Sequence, residues 1–171
     1  MSKKEPLSSI TSYPTPCTVE NIINSISSGD FKDTSDYGSY ITGAEWRQMI
    51  NSIRADDQLM QVTLVDTHID KASGGGKGVS ALFADPSTGE AVVVFRGTAA
   101  NEWKDNFVAG AEVSSAQQEN ALDWYRSLNL SEYNDVTVTG HSKGGNKAKY
   151  ITIMDDSVDR CVSFDGQGFS D

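Results

Sequence analysis

The amino-acid sequence predicts an α/β fold in which a mostly parallel sheet is flanked by helices. From residue 92 onward, apolar β-branched runs alternate with stretches of helical spacing, a pattern typical of parallel strands joined by helical crossovers. The segment VTVTGHSKGG at 136–145 passes from a strand into a helix through Ser142, which stands between glycines. At 171 residues the chain has the length of one domain.

Composition and charge indicate a globular protein and argue against nucleic-acid-binding and membrane-spanning classes. The chain has 37% hydrophobic and 22% charged residues, as soluble globular proteins do, and a net charge of -10. Nucleic-acid binding needs clustered Lys and Arg, and without such a basic stripe we expect no nucleic-acid partner. No apolar window has the length of a signal-peptide core or a membrane span. We therefore expect a protein without an integral membrane segment, cytoplasmic by default, with export by a non-standard route left open.

The N-terminal part is less apolar than the rest. We divide the chain into residues 1–40, an irregular lead-in with a short helix beginning near Thr18, and residues 41–171, the main domain. Thr42 and Glu45 form the pattern of a capping box, in which the threonine hydroxyl accepts from the N3 amide and the glutamate reaches back. An apolar stripe at helical spacing then predicts a helix to about Ala55.

The main domain is predicted to contain both strands and helices. Residues 59–69 alternate apolar and polar side chains, which predicts a half-buried strand. Residues 79–86 and 90–97 flank a Pro-Ser-Thr-Gly turn and predict an antiparallel hairpin. A long helix capped by Ser114 or Ser115 is expected to end near Leu128. A strand at 135–140, a helix at 144–156 and a strand at 160–166 complete the pattern.

Ser142 lies in a G-x-S-x-G motif whose glycines are Gly140 and Gly144. Between a strand and a helix this motif has mechanical meaning, because the sharp turn strains the serine backbone and lifts its Oγ clear of the sheet. Side chains at the two glycine positions would collide with the neighbouring strand and helix. The Lys143 amide, at the start of the helix, can donate to a developing oxyanion. A turn of small residues without a catalytic role is the competing interpretation.

A second feature is the stretch FRGTAANEWKDN at 95–106. Acyl transfer uses one oxyanion donor after the nucleophile and another from the loop after an earlier strand. Thr98, just past Gly97, can offer its amide and its hydroxyl. Two spaced motifs therefore point to a serine nucleophile with an oxyanion hole.

These motifs together resemble those of the class 3 (fungal-type) lipases, whose oxyanion strand ends in F-R-G-[ST] before a W-x-x-D-like stretch. GHSKGGN at 140–146 and SFDGQGFS at 163–170 are most similar to a lipase-like subgroup of uncharacterised hydrolases and phospholipases. The resemblance covers about residues 60–171. It implies an α/β-hydrolase-type fold and a carboxylic ester hydrolase that acts on an ester or lipid substrate.

The resemblance also implies roles for individual residues. Carried over by position, Ser142 is the nucleophile, and the amides of Thr98 and Lys143 are the oxyanion donors. Asp105 orients the Thr98 loop, and Trp103 packs behind it, although a plain core aromatic explains Trp103 equally well. We expect no cofactor, because a serine hydrolase needs none, and no metal, because the histidines and carboxylates match no ligand spacing.

The general base is the missing part of this site. His141 is expected to pack under the turn, and His68 lies upstream, whereas α/β-hydrolases order the triad as serine, acid, histidine. Asp165 at the end of the last strand is a weak candidate for the acid, with a turn-forming aspartate as the alternative. The resemblance implies further strands, an acid and a histidine beyond residue 171. We therefore expect a chain truncated within its domain, with little or no hydrolase activity of its own.

One rival function stays open and another is excluded. A non-catalytic module could keep the fold and bind a lipid or acyl group without a base. A phosphate-binding loop needs G-x-x-x-x-G-K-[ST]. Gly140 and Gly145 have the spacing of its two glycines, but Asn146 follows Gly145, so the lysine comes one place late. The sequence leaves the chain length and head group of the substrate open.

Overall fold

The computed structural model describes residues 14–26, 42–69, 78–97, 113–166 and 168, with the backbone alone for 113–116. The strands of this part form one sheet in chain order: β1 Cys17–Thr18, β2 Thr63–Ile69, β3 Val79–Asp85, β4 Glu90–Phe95, β5 Asp135–His141 and β6 Arg160–Phe164. The helices are α1 Val19–Ser25, α2 Gly43–Arg54, α3 Asp57–Gln61, α4 Val113–Ser127 and α5 Lys143–Met154, with a 3-10 turn at Leu130–Glu132.

The sheet is mixed, which corrects the prediction of a mostly parallel sheet. Strands β1 to β4 pair antiparallel, and the parallel pairings are β4–β5 and β5–β6. The connections explain the difference, because the tight turn at 86–89 joins β3 to β4 as a hairpin, whereas α4 and α5 cross between the later strands. The predicted hairpin is confirmed, with Ala84 opposite Ala91. The α/β character belongs to β4–β6.

The main core lies between one face of the sheet and helices α4 and α5. Alternation along β4 and β5 turns Val93, Phe95, Val136 and Val138 toward these helices, and all four are buried. The Trp124 ring of α4 meets Phe95 edge-on, with ring centroids 6.1 Å apart. The other buried members are Leu82, Ala91, Ala121, Leu122, Tyr125, Leu130, Ala148 and Ile151.

The predicted capping box at the start of α2 is confirmed. The Glu45 amide donates to the Thr42 hydroxyl at 3.3 Å, and the Thr42 amide donates to the Glu45 carboxylate at 2.7 Å. At the other end of α2, Arg54 donates to the carbonyl of Ile23 at 3.1 Å, close to the last turn of α1. A smaller core consists of Ile23, Ile26 and Ile50.

Two predicted boundaries are wrong. Residues 59–61 are helical rather than extended, because the Asp56 carboxylate accepts from the Leu59 amide at 2.9 Å and caps α3, so that the strand begins only at Thr63. Ser114 and Ser115 lie within α4, which begins at Val113, and neither is its N-cap. Short alternating runs do not separate a strand from one helical turn, so local capping decides the first case.

A charged contact joins α4 to the end of α5. Arg126 Nε donates to Asp155 Oδ2 at 2.9 Å, and Arg126 Nη2 donates to the Met154 carbonyl at 2.7 Å. The hydrogen bond from Arg126, followed by those from Ser157, lowers the pKa of Asp155 below its ordinary value of 3.8. A carboxylate with a lowered pKa stabilises the fold above its ordinary pKa, and this contribution is lost as the pH falls through the lowered value.

We expect Asp155→Asn to lower the free energy of unfolding at neutral pH by up to about 1 kcal/mol, a modest loss because the Arg126 side chain is 50% exposed. The difference from wild type should close in strong acid, since both side chains are then uncharged. Urea unfolding across pH measures it, with the exposed neighbour changed in Asp156→Asn as the control. A difference that persists in strong acid would contradict the assignment.

Candidate active site

Ser142 stands at the junction of β5 and α5 in a backbone conformation that non-glycine residues rarely adopt. Its φ and ψ are 54° and -119°, and it is the N-cap of α5. An N-cap serine usually bonds an amide of the first helical turn, but the Ser142 side chain makes no such bond. The strained turn has therefore diverted the Oγ from its ordinary structural role, as the G-x-S-x-G motif predicts.

The two glycines of the motif are required by close approach. A Cβ on Gly144 would overlap the Phe95 carbonyl oxygen at the end of β4, and one on Gly140 would come 2.6 Å from the same oxygen and also meet the backbone of Gly144. Real Cβ atoms do not approach backbone so closely. The predicted collisions with the neighbouring strand and helix are confirmed, and they bring β4, β5 and α5 together at Ser142.

The end of β4 also reaches the serine turn. A Cβ on Gly97 would lie 2.6 Å from the His141 carbonyl oxygen and 3.6 Å from the Ser142 Cβ. The chain therefore runs along Ser142 at Gly97, the residue before Thr98 in the sequence. Thr98, Trp103 and Asp105 lie outside the described residues.

The amide of Ser142 is already bonded. It donates to the Phe164 carbonyl, at the end of β6, at 3.0 Å. An oxyanion at this site must therefore be met by other donors. Lys143 is the first residue of α5, which is the position in the fold at which the sequence predicted a donor.

His141 does not pack under the turn, and that expectation is wrong. Its side chain is 67% exposed, and its Nε2 lies 3.9 Å from Asp165 Oδ2. As the last residue of β5, His141 follows the alternation of Thr137 and Thr139, which places it on the sheet face opposite α4 and α5. Because the Asp165 side chain is 95% exposed, the pair is a weak surface contact.

Asp165 ends β6 in a turn with φ 44°. Only glycine adopts this left-handed region without cost, and aspartate is one of the few other residues that tolerate it. Its carboxylate oxygen Oδ2 lies 3.9 Å from Nε2 of His141. The geometry agrees with the turn-forming alternative.

His68 lies far from Ser142 across the sheet. It pairs with Ser80, Ser80 pairs with Phe95, and Phe95 pairs with Gly140, so three strand spacings, about 14 Å, separate His68 from β5. The imidazole stacks on the Trp124 ring of α4, with centroids 5.6 Å apart and planes at 15°. Neither histidine of the sequence is thus placed to accept the proton of Ser142.

No helix in the described ranges is both long enough and apolar enough to cross a membrane. In the same ranges, no group of three His, Cys, Asp or Glu side chains is arranged to hold a metal ion.

Comparisons with known proteins bear on the same region. Residues 57–171, which run from α3 through the serine turn and beyond β6, match the family described as Mbeg1-like. The chain belongs to the Mbeg1-like family. This family is lipase-like, which agrees in broad terms with the resemblance drawn from the motifs.

Other comparisons of the Mbeg1-like chain are more distant. No curated protein matches its sequence. A crystal structure of an MDLA mutant form from Penicillium cyclopium is similar with a TM-score of 0.31 and 10% identity, over 72% of this chain and 48% of that chain. The Mbeg1-like chain thus spans about half the length of that solved structure.

Sequence analysis assigned no role to several polar residues of the Mbeg1-like site. On α4, Gln118 donates a hydrogen bond to Asn146 of α5. Two side chains of α5, those of Asn146 and Lys149, donate to backbone carbonyls after β6. Asn146 and Lys149 stand four and seven residues after Ser142, which is the spacing of one helix face. This spacing is the signal by which they could have been found.

We expect Gly144→Ala to destabilise the protein by about 3 kcal/mol or more, because the added methyl group meets backbone that cannot move aside cheaply. Gly168→Ala is the matched control, since a Cβ there has nothing within 4 Å. It should stay within about 0.5 kcal/mol of wild type. Chemical unfolding of the two variants measures the difference, and equal stabilities would contradict the packing described for the serine turn.

The turn at Asp165 gives a second prediction. Asp165→Gly should be more stable than Asp165→Ala by about 1 kcal/mol, because glycine reaches a φ of 44° without the penalty that a Cβ carries. Thermal unfolding of the pair tests it. A glycine variant less stable than the alanine variant would show that residue 165 does not adopt the left-handed conformation.

Proposed function

We propose that this Mbeg1-like protein is a serine hydrolase of carboxylic esters, with a lipase- or phospholipase-like substrate, and that Ser142 is its nucleophile. The observation that carries the proposal is the backbone of Ser142, with φ 54° and ψ -119° and no side-chain cap bond. Such strain costs about 1–3 kcal/mol and persists where the surroundings impose it, most often at functional sites. Membership of a lipase-like family supports the same conclusion.

In the proposed reaction, Ser142 Oγ attacks the ester carbonyl carbon, and its proton passes to a general base. The negative charge that develops on the carbonyl oxygen is met by the backbone amides of Lys143 and Thr98. Collapse of the tetrahedral intermediate expels the alcohol, which takes the proton back from the base, and leaves an acyl group on Ser142. Water then hydrolyses this acyl group to the free acid and restores the serine. Preorganised amides of this kind contribute about 3–4 kcal/mol each to transition-state stabilisation.

Two observations support the placement of the oxyanion donors. Gly97 lies against the Ser142 turn, and Thr98 is the next residue in the sequence. The Ser142 amide donates to the Phe164 carbonyl, and the residue that follows it, Lys143, begins α5 directly beside the serine. Asp105 is proposed to orient the Thr98 loop.

The general base comes, in this proposal, from a group outside the 171 residues. His68 lies about three strand spacings from β5, and His141 lies beside Asp165 on the opposite face of the sheet. Asp165 is a poor choice for the acid of a triad, because its carboxylate is exposed and faces His141. The rival function, a lipid- or acyl-binding module without catalysis, follows if no such base exists.

A fluorophosphonate reagent tests the nucleophile, because it phosphonylates an activated serine with loss of fluoride. The protein encoded by the complete reading frame should react at Ser142, and Ser142→Ala should abolish labelling. Ser131→Ala, which changes an exposed serine in the 3-10 turn, is the matched control and should label like wild type. Peptide mapping identifies the site. An unreactive wild-type protein that still binds a fatty acid would favour the binding module.

We expect residues 1–171 alone to hydrolyse p-nitrophenyl acetate no faster than their Ser142→Ala variant, because neither histidine reaches the Oγ. The comparison of the two initial rates measures this. A rate that depends on Ser142 and is lost in His68→Ala would contradict the argument and make His68 the base.

A further inference from the structure

Asn146 forms a buried polar bridge between three parts of the chain. It is 8% exposed and lies one helical turn after Ser142 on α5. Its Oδ1 accepts from Gln118 Nε2 of α4 at 2.6 Å, and its Nδ2 donates to the Gly168 carbonyl, beyond β6, at 3.0 Å. A primary amide suits this place because one end must accept and the other must donate.

Lys149 holds the same segment one turn further along α5. Its Nζ donates to the Gly166 carbonyl at 3.1 Å. Gly145 and Gly166 allow the backbones to touch, since a Cβ on Gly145 would come 2.9 Å from the Gly166 Cα. Two side-chain donors, Asn146 and Lys149, and the contact at Gly145 therefore hold the backbone after β6 against α5.

This segment is directly connected to the nucleophile. The Phe164 carbonyl accepts the Ser142 amide at 3.0 Å, and the chain turns toward α5 at Asp165. Asn146 and Lys149 are three residues apart on one face of α5, so the donors to Gly166 and Gly168 lie on the helix that begins directly after Ser142. Gly166 and Gly168 are only two and four residues after Phe164, so movement of either would displace the carbonyl that accepts from the Ser142 amide.

We propose that Asn146 and Lys149, with Gln118 orienting the amide of Asn146, are positioning residues for Ser142. Their hydrogen bonds fix the carbonyls of Gly166 and Gly168. The preceding Phe164 carbonyl is thereby held in place, and it in turn holds the Ser142 amide and its strained turn. Their effect on reactivity rests on the proposed function of Ser142. Their effect on the position of the Ser142 amide is independent of that proposed function.

The test uses two variants that remove one donor each. Asn146→Asp keeps the acceptor for Gln118 but loses the donor to Gly168, and Asn24→Asp, at an exposed position of α1, is its matched control. Lys149→Met removes the ammonium group, Lys149→Arg restores a donor, and Arg160→Met at the exposed start of β6 controls for loss of a cation. Lys149 is less buried than Asn146, so its variants keep the test valid if Asn146→Asp does not fold.

Two measurements are made on the protein of the complete reading frame. We expect hydrogen exchange of the Ser142 amide to be about tenfold faster in Asn146→Asp and Lys149→Met, and unchanged in both controls. We expect the maximal rate of fluorophosphonate labelling to fall about tenfold at an unchanged half-saturating concentration, with Lys149→Arg recovering most of both effects.

The possible failures are distinguishable. Unchanged amide exchange in both variants overturns the positioning role, whatever the labelling shows. Faster exchange with wild-type labelling rates also overturns it, because the nucleophile then does not depend on the bridge. A wild-type protein that never reacts overturns the proposed function, and with it the effect on reactivity, even where amide exchange responds.

Discussion

The approach of the Phe95 carbonyl to Gly144 is the constraint on which the rest of the site depends. At this point the end of β4 and the first turn of α5 come so close that no side chain fits between them. β5 lies between them in sequence and beside β4 in the sheet, and it must therefore turn sharply into the helix. The serine at that turn takes a left-handed backbone because no relaxed conformation connects the two elements over such a short distance.

A strained residue persists only where its surroundings hold it. The Ser142 amide is bonded to the Phe164 carbonyl, Gly97 runs along the turn from the side of β4, and the backbone after β6 lies on the same helix. Burial of Phe95, Val138 and Ala148 beneath these contacts ties the turn to the main core. Strain at Ser142 is thus a property of the packing of three elements rather than of one residue.

Much of this arrangement could be predicted from sequence because its causes are local. A capping box needs two residues three apart, a hairpin needs a turn between two β-rich runs, and the serine motif needs glycines where backbones meet, and each of these predictions is confirmed. The antiparallel pairings of β1 with β2 and of β2 with β3, and the exposed His141, depend on which strands become neighbours and on which helices cover each face. Such contacts join residues that are far apart in sequence, so the pattern within a short stretch of residues does not reveal them.

The predictions that failed show the same division. Leu59 opens a run that we interpreted as an alternating strand, yet one carboxylate, Asp56, is enough to cap a helical turn there. The spacing of Asn146 from Ser142 gives no sign of its two partners, Gln118 and Gly168, which lie far away in sequence. Roles that arise from tertiary contacts therefore became visible only with the fold.

The most direct measurement of the central claim is a crystal structure of the phosphonylated protein. We expect a phosphorus–oxygen bond to Ser142, an unchanged left-handed backbone at that residue, and a phosphonyl oxygen within about 3 Å of the Lys143 and Thr98 amides. A phosphonyl group on another residue, or an oxygen that points to solvent with neither amide near it, would contradict the account.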